Sequence, residues 1–244
     1  MRIPRVYSSI AIGQSSHLEL GANVAHYLGK VLRMAVGRPV ILFDGTGGEY
    51  QAEITGLSKS SIQFTLGEFS PESRESPLAL ELAIGLSRGE RFEWVLQKAT
   101  ELGVSRIVPL LTERVEVKLS GERLAKKREH WQQIVVSACE QCQRTLLPQL
   151  SEPQPLATWL AETDTAWAFV LHHRAPERLQ DYTTSPTRVA LLVGPEGGLS
   201  EGEIEQALNA GLKPLALGPR VLRTETAPIA ALSVLQYQWG DLSR

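Results

Sequence analysis

Apolar and polar residues alternate in short runs through the first third of the chain. Val40-Ile41-Leu42-Phe43 leads into Asp44-Gly45-Thr46-Gly47-Gly48, and beyond it Tyr50, Ala52 and Ile54 alternate with Gln51, Glu53 and Thr55. A period of two marks strands with one buried face, and glycines between the runs admit the positive φ of a tight turn, so this stretch predicts a hairpin. Ile62, Phe64 and Leu66 repeat the pattern after Lys59-Ser60-Ser61 and add a strand. A region of about 70 residues built this way is a small sheet or barrel near the lower size limit for an independent core.

The segment Ser70-Pro71-Glu72-Ser73-Arg74-Glu75-Ser76-Pro77 has two prolines, mixed charge and no apolar side chain. It has no area to bury and predicts a linker at 71–77 between a domain at 1–70 and another at 78–244. Past it the period changes. Leu78, Leu80, Leu82, Ile84 and Leu86 alternate as a strand, then Phe92, Val95, Leu96, Ala99 and Leu102 share one helical face that Gly103 ends. Further strand-like runs fall at 107–111, 166–172, 189–193 and 214–217, and helical ones near 122–142, 201–210 and 228–239. Alternating β and α elements imply a mostly parallel sheet with helices on both faces, an α/β fold.

Composition narrows the function classes. Among 244 residues, 25 Lys plus Arg against 27 Asp plus Glu leave a net charge of −2, so no global positive field draws the protein to a polyanion. Basic residues concentrate locally. Residues 1–40 hold Arg2, Arg5, Lys30, Arg33 and Arg38 against Glu19 alone, and 118–128 hold Lys118, Arg123, Lys126, Lys127 and Arg128 against Glu122. Such runs suit RNA phosphates or are plain solvated surface, and composition leaves both readings open. No stretch approaches the roughly 20 apolar residues of a spanning helix, and Met1-Arg2-Ile3-Pro4-Arg5 lacks the apolar run of a signal peptide, which predicts a soluble cytoplasmic protein without membrane association. Cys139 and Cys142 have C-x-x-C spacing on a predicted helix with no second pair, and His172 and His173 point to opposite faces of a strand, so no metal is expected. The cysteines read as helix packing.

Two loops carry the unusual composition. Val193-Gly194-Pro195-Glu196-Gly197-Gly198-Leu199-Ser200 follows an apolar strand, and Ser200 with Glu203 forms a capping box that opens a helix. The glycines either let backbone groups approach a ligand at the strand's carboxyl end or shape a turn. No Walker A loop and no G-x-G-x-x-G occurs, which argues against ordinary nucleotide folds. The second loop, Leu217-Gly218-Pro219-Arg220-Val221-Leu222-Arg223-Thr224-Glu225-Thr226-Ala227-Pro228, interleaves arginines and a glutamate with apolar residues. It reads as a polar site with apolar walls or as an ion-pair cluster, with Thr226 as N-cap and Pro228 in the first helical turn.

Taken together, Gly194-Pro195-Glu196-Gly197-Gly198 and Leu217-Gly218-x-Arg220-Val221-Leu222-Arg223-x-Glu225-Thr226-Ala227 resemble the RsmE family of ribosomal RNA methyltransferases. Also similar are His26-x-x-x-x-Val31-Leu32-Arg33, Gln97-Lys98-x-Thr100-Glu101-Leu102-Gly103-Val104, Glu113-Arg114, and Glu140-Gln141-x-x-Arg144 followed by Pro148. Val221 stands where the family usually has isoleucine, which keeps an apolar wall. The resemblance covers nearly the whole chain. It implies an N-terminal PUA-like β-barrel that helps hold RNA and a C-terminal SPOUT-type trefoil-knotted α/β domain. It further implies a homodimer that uses S-adenosylmethionine to methylate uridine N3 in 16S RNA of the small ribosomal subunit. By motif match, Gly194, Glu196 and Gly197 form the first cofactor loop and Leu217, Gly218, Val221, Leu222, Arg223 and Ala227 the second, with Leu171 as a further wall.

The chemistry of N3 adds roles. The imide proton needs an acceptor and the flanking carbonyl oxygens need donors as charge develops. Glu225 is the candidate acceptor, or a group that positions the base; Arg223 and Arg144 are candidate donors to those oxygens or an adjacent phosphate. Arg5, Arg33, Lys126 and Lys127 are expected to contact phosphates.

Overall fold

The computed structural model describes residues 3–13, 15–116, 120–172, 179, 182 and 184–243. Arg2, Lys118 and His173, which figure in the sequence reading, lie outside the described residues. The chain divides into two units, Met1–Glu75 with Cys139–Leu147, and Ser76–Ala138 with Pro148–Arg244.

In the first unit, β1 (Arg5–Tyr7), β2 (His17–Gly21), β3 (Pro39–Phe43), β4 (Glu49–Leu57) and β5 (Ser61–Ser70) form one sheet in the order β1-β3-β4-β5-β2. The hairpin read from the alternation is β3 and β4, with Leu42 opposite Tyr50. Its turn needs glycine at position 48 twice over: φ is +74°, and a Cβ would lie 2.4 Å from the Phe69 ring and 2.8 Å from the Ser70 carbonyl oxygen. Between β2 and β3, α1 (Ala22–His26) runs into one π-helical turn, Tyr27–Val31, that seals the core with Leu28 against Ile54, Ile62 and Phe64. The segment after β5 is irregular, as its prolines dictate, yet its charges are engaged: Glu75 receives the fork of Arg144, and Arg74 approaches Glu49 at 3.6 Å.

The second unit is a parallel sheet in the order β12-β10-β11-β6-β7-β8, with β9 also pairing β7. Its strands are β6 (Ala79–Gly85), β7 (Val104–Leu111), β8 (Gln149–Leu150), β9 (Gln154–Pro155), β10 (Ala168–Leu171), β11 (Arg188–Val193) and β12 (Lys213–Leu215). Among the described residues its helices are α2 (Glu90–Glu101), α3 (Gly121–Cys142), which runs into the first unit from Cys139, α4 (Leu156–Glu162), α5 (Glu201–Asn209) and α6 (Thr226–Trp239). Pleating sorts the strand residues between two cores. Leu80, Leu82, Ile84, Val189, Leu191 and Val193 pack with Phe92 of α2, Trp131 of α3 and Leu232 of α6. Ala83, Val108, Ala168, Ala190 and Leu192 face Trp159 of α4 and Ala207 of α5. The α/β architecture expected from the alternating elements is therefore present, with both sheet faces covered. Among the described residues no helix is long and apolar enough to cross a membrane.

Gln236 joins three elements of this unit. Only 1% exposed, it donates Nε2–H to the Leu102 carbonyl at 2.8 Å and accepts the Ser76 hydroxyl at 2.6 Å. Replacing it with leucine keeps the volume but strands both partners, which costs about 1–3 kcal/mol and lowers the melting temperature by roughly 2–12 °C. Thermal unfolding followed by circular dichroism checks this; a midpoint within about 1 °C of wild type would show that the bonds contribute nothing net.

Cys139 fits the packing role. Burial pushes its thiol up to about 12 despite the nearby Arg144, so thiolate is scarce at neutral pH.

Candidate active site

The described strands of the second unit all run the same way, so the carboxyl ends of β6, β7, β10, β11 and β12 lie at one edge of the sheet. Strand β10 lies between β11 and β12, which places its last residue, Leu171, between the two loops of unusual composition. Strand β11, inserted between β10 and β6, makes the order non-sequential there, and carboxyl-end crevices at such reversals are where open α/β sheets take ligands.

The loop 194–200 is tightly built. Gly198 N–H closes a turn onto the Pro195 carbonyl at 2.8 Å, and Gly198 has φ +67°. A Cβ on Gly194 would lie 2.6 Å from the Leu199 nitrogen, so only glycine fits beneath the turn. The expected capping box is present: Ser200 Oγ accepts from Glu203 N, and Glu203 Oε2 accepts from Ser200 N. Neighbouring loops hold this one. The Glu196 carboxylate accepts Arg88 N–H at 2.8 Å, with Arg91 at 3.5 Å; Glu203 Oε1 accepts Glu113 N–H at 2.8 Å; Arg114 Nη1 donates to the Gly197 carbonyl at 2.8 Å and the Leu199 carbonyl at 3.2 Å.

The second loop follows β12 and leads into α6. Gly218 takes φ +84°, Leu217 and Leu222 are half-buried, and Val221 is 82% exposed, an apolar side chain offered to solvent beside the exposed Arg220 and Arg223. The N-cap of α6 is Glu225, and its side chain makes no capping bond; Thr226, expected at that position, is the first helical residue. The reason lies in the backbone, where Arg223 O accepts both Thr226 N–H and Ala227 N–H and winds the helix one residue early. Pro228 is buried in the first turn as read.

Two sequence expectations need correction. Arg5 is 6% exposed, pairs with Glu49 and lies 5.4 Å above the Phe43 ring, so it holds the first unit together rather than meeting a phosphate. Arg144 is 5% exposed and forks onto Glu75 in the same unit, through Nε at 3.1 and 3.0 Å and through Nη2, so it is engaged as a structural cation and not presented to a base. Of the other expected phosphate ligands, Arg33 is exposed at φ +54° and Lys126 is exposed in a pair with Glu122 at 2.7 Å. Lys127 is half-buried against Glu93. Burial alone would push Glu93 up, but its bonds from Lys127 and His130 outweigh this and hold it ionised at lower pH.

The ties from Arg88, Arg91 and Arg114 escape a reading of composition; Glu113-Arg114 stands out only as a motif, and its contact with a loop about 85 residues onward leaves no local signature. A cavity of about 310 Å³ lined by Asp164, Trp167 and Arg188 opens at the amino ends of β10 and β11, and no candidate residue borders it. Among the described residues no group of three or more His, Cys, Asp or Glu is arranged to hold a metal.

Comparison with known proteins gives these loops a context. An RNA methyltransferase domain model matches residues 74–236, and an RNA methyltransferase PUA domain model matches residues 20–67. The chain is 35% identical over 243 residues to ribosomal RNA small subunit methyltransferase E of Buchnera aphidicola subsp. Schizaphis graminum (strain Sg), covering 99% of each. Among solved structures, a Legionella pneumophila methyltransferase with bound cofactor SAM superposes with TM-score 0.95 and 42% identity, over 99% of this chain and 100% of the other. Ribosomal RNA small subunit methyltransferase E of Neisseria gonorrhoeae bound to S-adenosyl methionine gives TM-score 0.93 and 36% identity, over 98% of this chain and 99% of the other. With both models matched in order and relatives aligned end to end, the chain belongs to the ribosomal RNA small subunit methyltransferase E family, RsmE.

Proposed function

We propose that this protein transfers a methyl group from S-adenosylmethionine to N3 of a uridine in 16S RNA of the small ribosomal subunit. The observation that carries the reading is the pair of loops at the carboxyl ends of β11 and β12, on either side of β10, in a chain of this family. The residues fit such a cofactor. Gly194 and Gly197 let the loop fold tightly on itself and on Arg114 so that its backbone can be offered to a ligand, and exposed Val221 with half-buried Leu217 and Leu222 offers apolar surface for a flat purine. Gly194, Glu196 and Gly197 with Leu171, Leu217, Gly218, Val221, Leu222, Arg223 and Ala227 would hold it. Glu196 acts there through its backbone, since its carboxylate is committed to Arg88 and Arg91.

When bound, the cofactor supplies an activated methyl on a sulfonium and is left as the neutral thioether. This chain's part is to make the nucleophile and align it. Glu225, at the α6 N-terminus with no capping bond of its own, takes the N3 proton. Arg223, exposed in the same loop, donates to a uracil carbonyl oxygen as charge spreads onto it. N3 is used in base pairing, so the target uridine must be unpaired or flipped out.

The protein works in the cytoplasm as a homodimer with a trefoil knot in the second unit. Helix α6 supports the dimer: its Leu232 and Leu235 are buried, yet Val234 and Tyr237 on the other side are 42% and 64% exposed. Large apolar side chains left exposed on the side away from the core call for a second cover. Support for the knot comes from the path of the chain, which leaves edge strand β12 and returns to set α6 against α2 and Ser76 at the far side of β10 and β11.

Methyl transfer from labelled S-adenosylmethionine to free ribosomal RNA and to isolated small subunits, with the product nucleoside identified by mass spectrometry, tests the reading. N3-methyluridine is expected; another methylated nucleoside would keep the cofactor and change the target atom. RNA affinity should also fall with salt. Arg33→Ala and Lys126→Ala should each reduce the slope of log K against log salt by about 0.7 to 1. Filter binding from low to moderate salt checks this, and an unchanged slope in the double variant would remove both residues from the interface.

A further inference from the structure

The loop 194–200 contains Gly197-Gly198, a peptide with no Cβ on either side and therefore the one most free to rotate. Its carbonyl does not face open solvent. Arg114, three residues beyond the end of β7, donates Nη1–H to it at 2.8 Å and to the Leu199 carbonyl at 3.2 Å. The contact is also steric, because a Cβ on Gly197 would sit 3.1 Å from Arg114 Cβ and 3.4 Å from its Cδ. The arginine stem therefore passes directly beneath the glycine. Its neighbour Glu113 is fixed independently, by its backbone N–H to the 5% exposed Glu203, whose other oxygen caps α5. One short segment after β7 thus strips rotational freedom from both ends of the turn, although β6 lies between β7 and β11.

We propose that Arg114 is a positioning residue for the cofactor: by holding the Gly197 and Leu199 carbonyls it fixes the first loop in its binding shape before the cofactor arrives. The inference rests on the reading that this loop binds S-adenosylmethionine. A loop ordered in advance binds without the entropy cost of ordering on contact, so loss of the arginine weakens affinity while leaving the fold intact. Arg114 is exposed, so its removal opens no core.

The test compares wild type, Arg114→Met and Arg114→Lys by calorimetric titration with S-adenosylmethionine, by separate titration with ribosomal RNA, and by thermal melting. Arg114→Met should bind the cofactor about tenfold more weakly, with RNA affinity within twofold and an unchanged melting temperature. Arg114→Lys, which keeps a charged donor on a stem of similar length, should recover most of the loss. In kinetics KM for the cofactor should rise while kcat at saturation holds. Wild-type cofactor affinity in Arg114→Met would overturn the proposal, and so would a loss confined to RNA affinity, which would make Arg114 an RNA contact. Failure of the wild-type protein itself to bind S-adenosylmethionine would instead overturn the underlying reading, and the proposal with it.

Discussion

Gly194→Ala is expected to weaken S-adenosylmethionine binding by about a hundredfold while leaving a cooperatively folded protein. The added Cβ would meet the Leu199 nitrogen at 2.6 Å, the Gly198 carbonyl carbon at 2.8 Å and the Gly198 Cα at 3.0 Å. All three are backbone atoms, so no rotamer change relieves the contact and the turn itself must open. Conformational preference adds nothing to the argument, because Gly194 is not among the positive-φ glycines. Opening the turn moves the Gly197 and Leu199 peptides that Arg114 and the capping box hold, and two backbone hydrogen bonds to a ligand lost at about 1.4 kcal/mol each amount to about a hundredfold in affinity. Gly197→Ala provides the internal comparison. Its Cβ would meet only the side chain of Arg114, at 3.1 Å, which can shift by a few tenths of an ångström. The milder substitution should therefore cost several-fold where Gly194→Ala costs a hundredfold. Calorimetric titration of the three proteins checks the order, and Gly194→Ala binding within threefold of wild type would show that the turn is not part of the cofactor site.

The elements that sequence made legible are those whose signal is local. The capping box at Ser200 and Glu203, the helix stop at Gly103 with φ +78°, and the strand alternation of Leu80, Leu82 and Ile84 each need only a few neighbouring residues. Helix α4 escaped because seven residues span two turns, too few for a period to declare itself; Trp159 stabilises it from the tertiary side through its indole N–H on Glu81 at 2.6 Å. Strand order could not be read either, since β11 pairs with β6 more than 100 residues earlier and nothing in either strand names its partner. The candidate site follows the same division. The two loops stood out by composition, whereas their placement on either side of Leu171 comes from the sheet order. Arg5 and Arg144 were misread for a related reason. An arginine is by default a surface residue, and what buried these two were carboxylates 44 and 69 positions away in sequence.

Glu225→Gln should reduce methyl transfer by about 10²–10⁴-fold at saturating cofactor and leave S-adenosylmethionine affinity within about twofold. Glutamine matches the side chain in size and still hydrogen-bonds, but it cannot accept a proton. The substitution costs the fold little, because the Glu225 side chain makes no capping bond at the head of α6 and the helix start is fixed by Arg223 O accepting Thr226 N–H and Ala227 N–H, both 2.9 Å. A readout beyond rate separates proton transfer from mere disturbance of the loop. Uridine N3 ionises by itself as pH rises, so a defect in accepting its proton must shrink toward alkaline pH as solvent takes over that task. A misplaced loop gains no such relief. Arg223→Met should behave differently, losing about 10²–10³-fold through unstabilised charge on the uracil oxygen, because the N3 anion still needs that donor whoever removes the proton. Single-turnover rates across pH for the two variants check the pair. A Glu225→Gln deficit that stays constant with pH would move Glu225 from proton acceptor to a group that holds the base, and near-normal turnover would remove it from the mechanism.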